Sequence, residues 1–322
     1  MNIIVIGAGM AGLLAARMLN QRGHKVLVLE AQSELPNNHN AVLRFRSNVV
    51  SDITGIPFKK VQMIKGTVPY LNPVAEALAY AYKTTGTYST DRSIVQGLTV
   101  ADRWIAPSDF ISQLSKGTNI EFSSYQLQAF DIMKNKGREE EWDAIISTIP
   151  MPKMMELLNY TAFGAAQFEF KSKSGMVAKT NIKDCYAFAT LYFPGDFDFY
   201  RASITGDELI IEYSDIYEYE INYDIGQAME NFGFDKNTAN TYEAELGKGH
   251  HQIIKQPYAK IEPVDDKLRK RFMAWATDKH NVYSLGRYAT WRPGLLLDDL
   301  VQDVKLIEGW IVNGNYEVRR SR

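Results

Sequence analysis

Three glycines near the start of the chain have the spacing of a phosphate-binding turn. Gly7, Gly9 and Gly12 follow the apolar run Asn2–Ile6 and precede a segment with helical spacing. In such a turn the first glycine permits a tight bend, the second lets the backbone approach a pyrophosphate, and the third lets the helix pack against the strand. The alternative is a glycine-rich turn that binds nothing. The context favours a dinucleotide site at Gly7, Ala8, Gly9, Met10, Ala11 and Gly12.

A carboxylate follows at the position where a ribose would be bound. A second strand is predicted at Lys25–Leu29, and it ends at Glu30, about 20 residues beyond the glycines. A carboxylate there accepts hydrogen bonds from both ribose hydroxyls and repels the 2′-phosphate of NADP. Glu30 and the adjoining Ala31 are therefore predicted to contact the nucleotide. The turn and the acid together leave FAD and NAD both open.

Two later segments extend this pattern. Residues 143–150 read Asp-Ala-Ile-Ile-Ser-Thr-Ile-Pro, a short strand that enters a polar turn. Residues 284–292 read Ser-Leu-Gly-Arg-Tyr-Ala-Thr-Trp-Arg and precede a predicted helix start near Asp298. With the N-terminal unit, and in the same chain order, they resemble the flavoprotein superfamily of amine oxidases, protoporphyrinogen oxidases and UDP-galactopyranose mutases.

The resemblance implies that FAD is the cofactor. It implies further that a helix start lies near the flavin, where the dipole would stabilise the anionic reduced ring. By the same resemblance, Arg287 and Arg44 are the candidate catalytic residues, which would orient an anionic group of the substrate. The residues implied to hold the rest of FAD are Ser147, Thr148, Gly286, Arg287, Trp291 and Arg44.

Three more residues are candidates for substrate binding: Tyr200, Arg201 and Tyr288. An aromatic side chain at strand spacing is more often part of a core, and an arginine on a strand is as often solvated. The pair His250-His251 does not indicate a metal, because neighbouring residues on a strand face opposite ways and no carboxylate cluster adjoins them. No metal site is predicted.

The order of predicted elements indicates an α/β fold class. We expect a Rossmann-like FAD-binding domain with a parallel sheet, and an inserted antiparallel-sheet substrate domain with helices. Alternating patterns at 187–192, 199–204 and 208–213 place strands in the inserted part. The predicted FAD-binding domain comprises 1–60, 101–160 and 275–322, and the predicted substrate domain comprises 61–100 and 161–274.

Composition limits the partners. The 36 Lys and Arg residues nearly balance the 38 Asp and Glu residues, so the formal charge of −2 gives no support to nucleic-acid binding. The single cysteine excludes an internal disulfide and any site with several thiolates. The apolar run from Ile3 to Ala16 is shorter than the roughly 20 residues of a membrane helix. We expect a cytoplasmic protein with a small-molecule or nucleotide-linked substrate, and the oligomeric state stays open.

The favoured function is an FAD-dependent oxidoreductase that resembles amine oxidases. A hydride would pass from a carbon bearing nitrogen or oxygen to flavin N5, and O2 would reoxidise the flavin. The first alternative is a redox-neutral NDP-sugar mutase similar to UDP-galactopyranose mutase, in which arginines bind the phosphates. Two others are a phage-type flavin enzyme that tailors a modified base on DNA, and a flavin-binding scaffold without catalysis.

Overall fold

The chain folds around two sheets, and the predicted α/β class is confirmed. The structure is a computed structural model that describes residues 1–35, 43–69, 72–88, 97–122, 142–160, 168–214, 221–246 and 252–314. The first sheet is parallel and Rossmann-like, and the second is a larger mixed sheet with helices.

The strands in chain order are β1 (Asn2–Ile6), β2 (Lys25–Leu29), β3 (Arg44–Phe45), β4 (Lys59–Thr67), β5 (Thr99–Ile105), β6 (Asn119–Glu121), β7 (Ala144–Ser147), β8 (Ser172–Asn181), β9 (Ala187–Tyr192), β10 (Phe199–Gly206), β11 (Glu208–Tyr213), β12 (Gln252–Ile261) and β13 (Val282–Ser284). The helices are α1 (Met10–Gln21), α2 (Val49–Thr54), α3 (Pro73–Thr85), α4 (Phe110–Ser115), α5 (Met151–Leu157), α6 (Ile221–Asn231), α7 (Lys236–Leu246), α8 (Asp266–His280) and α9 (Leu297–Val312).

The parallel sheet has the order β13-β7-β1-β2-β6. Its central strand β1 is apolar on both faces because helices cover both. Ile3 and Val5 pack with α1, α4 and α9, whereas Ile4 and Ile6 pack with α5 and α8. A strand buried on both faces needs a continuous apolar run, which is how this strand reads in the sequence.

The second sheet has the order β12-β8-β11-β10-β9-β4-β5-β3. Its neighbouring strands are antiparallel except β4 and β9, which run parallel, so the sheet is mixed where the sequence predicted an antiparallel one. One face is apolar and is covered by α6 and α7, with Ile204, Leu209 and Ile211 packed against Ile225 and Ala228. The opposite face is polar and carries the cations described below.

Several elements differ from the sequence-based expectation. The acidic and tyrosine-rich composition of 213–224 predicts a strand edge and loop, but helix α6 begins at Ile221. Ile225, Ala228 and Met229 give α6 an apolar stripe at helical spacing, which the acidic and tyrosine-rich composition obscured. Strand β3 covers only Arg44–Phe45 of the strand expected at 41–47.

Some predictions concern residues outside the described parts of the chain. One is the histidine pair at 250–251. The sequence also predicts a solvated basic tail at 319–322 and a pair of strands at 120–133, and the first and most of the second lie outside the described residues. The predicted domain boundaries stay a prediction. Strands β3 and β5 pair with β4 in the second sheet, although residues 1–60 and 101–160 were assigned to the FAD-binding domain. Among the described residues, no helix is both long and apolar enough to span a membrane.

The close packing of α1 on β1 gives a stability prediction. A Cβ on Gly12 would lie 1.9 Å from the Gly7 carbonyl oxygen, which is backbone and cannot move aside cheaply. We expect Gly12→Ala to lower the free energy of unfolding by at least about 2 kcal/mol. Gly309 in α9 has open space around its Cβ position, so Gly309→Ala should raise it by about 0.5–1 kcal/mol. Urea denaturation of both variants measures this difference, and equal effects would contradict the close-approach argument.

Candidate cofactor and substrate site

Four strand ends lie in one row at the carboxyl edge of the parallel sheet. The strand pairing aligns Leu29 with Ile6, Ile6 with Ser147, and Ser147 with Ser284. The residues that follow these four positions are therefore neighbours in space, although they come from distant parts of the chain. Ligands of open parallel sheets bind at this edge. The three sequence segments of the predicted site meet here.

The glycine turn leaves an open space at the start of α1. Gly7 has a φ of +99°, a conformation that glycine adopts readily, and its N–H donates to the Leu29 carbonyl at 2.8 Å. Gly9 is the N-cap residue of α1. Among the described residues, no side chain caps this helix start, and none has an atom within 4 Å of a Cβ on Gly9. The first N–H groups of a helix have no partner within the helix. An open space beside helix N–H groups that lack a partner suits an anionic group such as a pyrophosphate, so the residues present fit the implied cofactor.

Glu30 is held beside the turn by backbone donors. The N–H of Ala8 donates to one carboxylate oxygen at 2.6 Å, and the N–H of Gln32 donates to the other at 2.9 Å. Each oxygen keeps a second lone pair, so the carboxylate can still accept from ribose hydroxyls. Ala31 is exposed next to it. The predicted nucleotide residues 7–12, 30 and 31 are thus brought together at one edge.

Ser147 and Thr148 differ in what they do. The Thr148 hydroxyl donates to the Ile6 carbonyl at 2.8 Å and lies against Gly7, where a Cβ would come within 2.5 Å of its oxygen. Thr148 therefore ties β7 to the glycine turn. The Ser147 hydroxyl is fully buried and has no hydrogen-bond partner in the described part of the chain. Their contact with a cofactor stays a prediction.

The loop after β13 joins this edge through Gly286. That residue has a φ of +94°, and a Cβ there would lie 3.1 Å from the Ala11 Cβ in the first turn of α1. Arg287 is half-buried, and its Nε donates to the Leu295 carbonyl at 3.1 Å, which closes the loop ahead of α9. The Gly286 backbone is therefore placed near the start of α1, and the Arg287 side chain holds the loop that carries it.

Tyr288 and Trp291 are directed elsewhere. Trp291 is 2% exposed, its Nε1 donates to the Glu262 carbonyl at 2.8 Å, and its ring packs edge-on against Phe170. The partly buried Tyr288 packs against the same cluster below the parallel sheet, and its carbonyl accepts from the Met151 N–H. These positions agree with the alternative of core aromatics, and contact with cofactor or substrate stays a prediction.

Arg44 lies on the polar face of the second sheet. Its guanidinium donates to the Thr190 hydroxyl, to the Ser203 hydroxyl at 3.1 Å and to the Met63 sulfur at 3.3 Å, and these residues lie on three adjacent strands. All three partners are neutral. Burial, and next the positive charge of Arg201, lower the pKa of the Arg44 guanidinium to about 10.

Arg201 on β10 forms an ion pair with Glu212 on the neighbouring strand β11. Its Nε and Nη2 both donate to the carboxylate of Glu212, which is 6% exposed. Burial opposes the charge of both groups, but the pair holds the pKa of the Glu212 carboxyl below its ordinary value and that of the Arg201 guanidinium well above its own. Tyr200 is buried beside them, with its hydroxyl 3.5 Å from Glu212. Arg44, Tyr200 and Arg201 are thus brought together.

Sequence reasoning missed Lys65 on the same face. Burial, and then the positive charges of nearby arginines, Arg103 first, lower the pKa of the Lys65 ammonium to about 8. The only available signal was the alternation within β4, where Lys65 shares a face with the buried Met63. Alternation alone does not show that Lys65 is partly buried while the other lysines of the strand are exposed.

Asp298 links the two sheets. Its carboxylate accepts from the N–H groups of Arg46 and Ser47, both at 3.2 Å, and from the Ser47 hydroxyl at 3.0 Å. Asp298 belongs to the first turn of α9, which follows the Gly286 loop, while Arg46 follows β3. The strand that carries Arg44 is therefore attached to the loop that meets α1.

Comparison with known proteins identifies the N-terminal part of this arrangement. Residues 2–93 match the FAD dependent oxidoreductase family. The matched part contains the glycine turn, Glu30 and Arg44. No curated protein sequence matches the chain.

Solved structures with the same fold support the two-sheet arrangement of this chain. An oxidoreductase from Methanosarcina mazei has a TM-score of 0.58 at 11% identity, over 96% of this chain and 100% of that one. Glycine oxidase from Bacillus cereus has a TM-score of 0.54 at 13% identity, over 96% and 95%. A 2-methyl-3-hydroxypyridine-5-carboxylic acid oxygenase has a TM-score of 0.53 at 15% identity, over 99% and 91%. At these identities the likeness shows the fold.

The open space at Gly9 predicts that a substitution there weakens FAD binding without destabilising the fold. Gly9→Ala places a methyl group where the pyrophosphate would lie, and it meets no protein atom. We expect at least about tenfold weaker FAD binding, with the free energy of unfolding changed by less than about 0.5 kcal/mol. Titration of the flavin-free protein with FAD, followed by flavin fluorescence, measures the affinity. Gly309→Ala is the control and should bind FAD as the unmodified protein does.

The buried ion pair predicts a large effect of Glu212. Glu212→Gln leaves the Arg201 guanidinium without its counter-charge, and we expect the free energy of unfolding to fall by about 3 kcal/mol at neutral pH. Glu208→Gln on the same strand removes a 3.7 Å contact with Lys179 and should cost less than about 0.5 kcal/mol.

The pH dependence of the free energy of unfolding tests whether the charge of Glu212 is the cause of this effect. Because pairing lowers the pKa of the Glu212 carboxyl, its contribution is complete above the ordinary glutamate range and is lost as the pH falls through the lowered pKa. The difference between Glu212→Gln and the unmodified protein should therefore shrink in acid. A difference that stays constant down to pH 3 would show that packing, not charge, is responsible.

Proposed function

We propose that the protein is an FAD-dependent oxidoreductase that oxidises a small anionic molecule in the manner of amine oxidases. The observation that carries the proposal is the open space at Gly9, bounded by the uncapped start of α1 and by the Glu30 carboxylate. The match of residues 2–93 to the FAD dependent oxidoreductase family supports the choice of cofactor. The fold shared with glycine oxidase is compatible with the reaction class.

The chain supplies binding, orientation and charge. The first N–H groups of α1 would bind the pyrophosphate, and Glu30 would accept from the ribose hydroxyls. The Gly286 loop and Arg287, which adjoin the start of α1, would border the flavin half. Arg44 and Arg201 would orient an anionic group of the substrate, since both lie on the polar sheet face.

When bound, FAD would supply the two-electron oxidation of a carbon that bears nitrogen or oxygen to an imine or a carbonyl. The protein's own task is to hold that carbon in place, and the positive charge of the sheet face serves this task by fixing the substrate's anionic end. Ser203 and Thr190, which accept from the Arg44 guanidinium, are 0% and 1% exposed, so these hydrogen bonds that hold Arg44 in place are shielded from water.

One observation favours a second candidate. A redox-neutral mutase that acts on an NDP-sugar needs several cations for its diphosphate, and the sheet face offers more cations than one carboxylate substrate requires. This alternative uses the same cofactor residues. It differs in that oxidised enzyme is inactive and only the reduced form turns over.

Optical spectra test the proposal. The purified protein should show absorption bands near about 375 and 450 nm and release FAD when unfolded. In air-free solution, anionic amines or amino acids should bleach the 450 nm band, and admission of O2 should restore it. Absence of bleaching, together with turnover of an NDP-sugar after chemical reduction, would replace the oxidase by the mutase. If the purified protein is colourless, and if the unmodified chain binds FAD as poorly as Gly9→Ala does, both the oxidase and the mutase are refuted.

A further inference from the structure

We propose that the polar face of the second sheet binds a compact doubly charged anion, a phosphate group carried by the substrate, through Arg44, Lys65, Arg103 and Arg201. We call these four residues the cationic face. The inference rests on the proposed function, because it names the substrate class of the same site. It goes beyond that function by specifying the charge and geometry of the group that is recognised.

Strand register brings the cationic face to one place. Thr190 on β9 pairs with Lys65 on β4 on one side and with Ser203 on β10 on the other. The Arg44 guanidinium donates to both Thr190 and Ser203, so it lies over these central strands. Arg201 is two residues from Ser203 and therefore projects on the same face.

The spacing suits one compact anion. Lys65 and Arg201 lie on strands two places apart, which corresponds to roughly 10 Å across the sheet. The Arg44 guanidinium covers Thr190, which is 1% exposed, so an anion would bind against Arg44 itself. The strands that carry Lys65 and Arg201 lie on either side of the strand beneath Arg44. An anion bound there would lie among three cations. A guanidinium presents paired donors to two oxygens and an ammonium acts as a point charge, a combination that fits a phosphate.

The charges on this face do not balance within the described chain. Glu212 is the one carboxylate paired with a member of the cationic face there, and both of its oxygens are taken by Arg201. The donors of Arg44 end on neutral atoms, and Arg103 donates to the carbonyl of Asp102. A single carboxylate substrate would neutralise only one of the remaining cations. A phosphate dianion matches the excess better.

The electrostatic cost of the cluster points the same way. Lys65 has its pKa lowered to about 8 by burial and by Arg103, Arg44 and Arg201, so its proton is held against repulsion. Several buried groups of like charge repel one another and lower the free energy of unfolding unless a ligand of opposite charge binds to them. A bound dianion removes this repulsion, which accounts for a half-buried lysine among arginines.

The test measures anion binding on the FAD-loaded protein, in which the cofactor occupies the space at Gly9. Inorganic phosphate, acetate and malonate are titrated by calorimetry at constant ionic strength. We expect one phosphate per chain and at least tenfold weaker binding of acetate. Lys65→Met should weaken phosphate binding about tenfold, and Lys65→Arg, which keeps the charge, should restore it to within about threefold.

Lys60→Met is the matched control. Lys60 lies on the opposite face of the same strand, where it pairs with Asp102 at 2.7 Å, and its removal should leave phosphate binding unchanged. Equal binding of acetate and phosphate, or tighter binding of malonate, would overturn the assignment to a phosphate. If Lys60→Met weakens phosphate binding as much as Lys65→Met does, the effect depends only on the net charge of the protein. That result would also overturn the assignment.

The design separates this inference from the proposed function. If the protein binds no FAD, the proposed function fails, and the titrations are then made on Gly9→Ala, whose methyl group fills the open space. Phosphate binding that depends on Lys65 in that variant supports the cationic face alone. If FAD binds and substrates bleach it but phosphate binding is insensitive to Lys65→Met, only the inference about phosphate fails.

Discussion

The parallel register of four strands is the constraint on which the site depends. Leu29, Ile6, Ser147 and Ser284 occupy one row. This row sets the positions of Glu30, the glycine turn, Thr148 and the Gly286 loop, which follow these four residues. Parallel strands hydrogen-bond at fixed offsets, and a one-residue slip would turn every side chain to the other face. The cofactor site is therefore a product of strand pairing, since no single segment contains it.

The glycine turn and the strands that flank it could be predicted from the sequence because their causes are local. A turn that needs positive φ requires glycine, and a strand buried on both faces requires an apolar run. The start of α9 could also be predicted, because paired aspartates begin this helix. Such signals are carried by a few neighbouring residues and survive without any knowledge of the tertiary fold.

The polar face could be predicted only in part because its causes are non-local. Arg44 was a candidate through a family resemblance, and Tyr200 and Arg201 were candidates through their residue types on a predicted strand. Nothing near Lys65 in the sequence indicates that arginines from three other strands lie near it. Trp291 illustrates the reverse case. Its position in a motif suggested the cofactor, while its buried indole is held by Glu262 and Phe170, which lie outside the motif. Contacts between residues far apart in the sequence decide both the surroundings of Lys65 and the position of Trp291.

The central place of β1 has a consequence for how the protein is made. Its neighbours on one side, β2 and then β6, follow early in the chain, but β7 and β13 on the other side come from residues 144–147 and 282–284. A nascent chain that has emerged only as far as residue 93 holds the whole family-matched segment and still leaves one edge of β1 without its backbone partners. Contacts of such long sequence separation form slowly, and an exposed apolar edge invites association with other chains. The N-terminal segment is therefore expected to depend on chaperones until the C-terminal strands arrive, and it would make a poor isolated fragment.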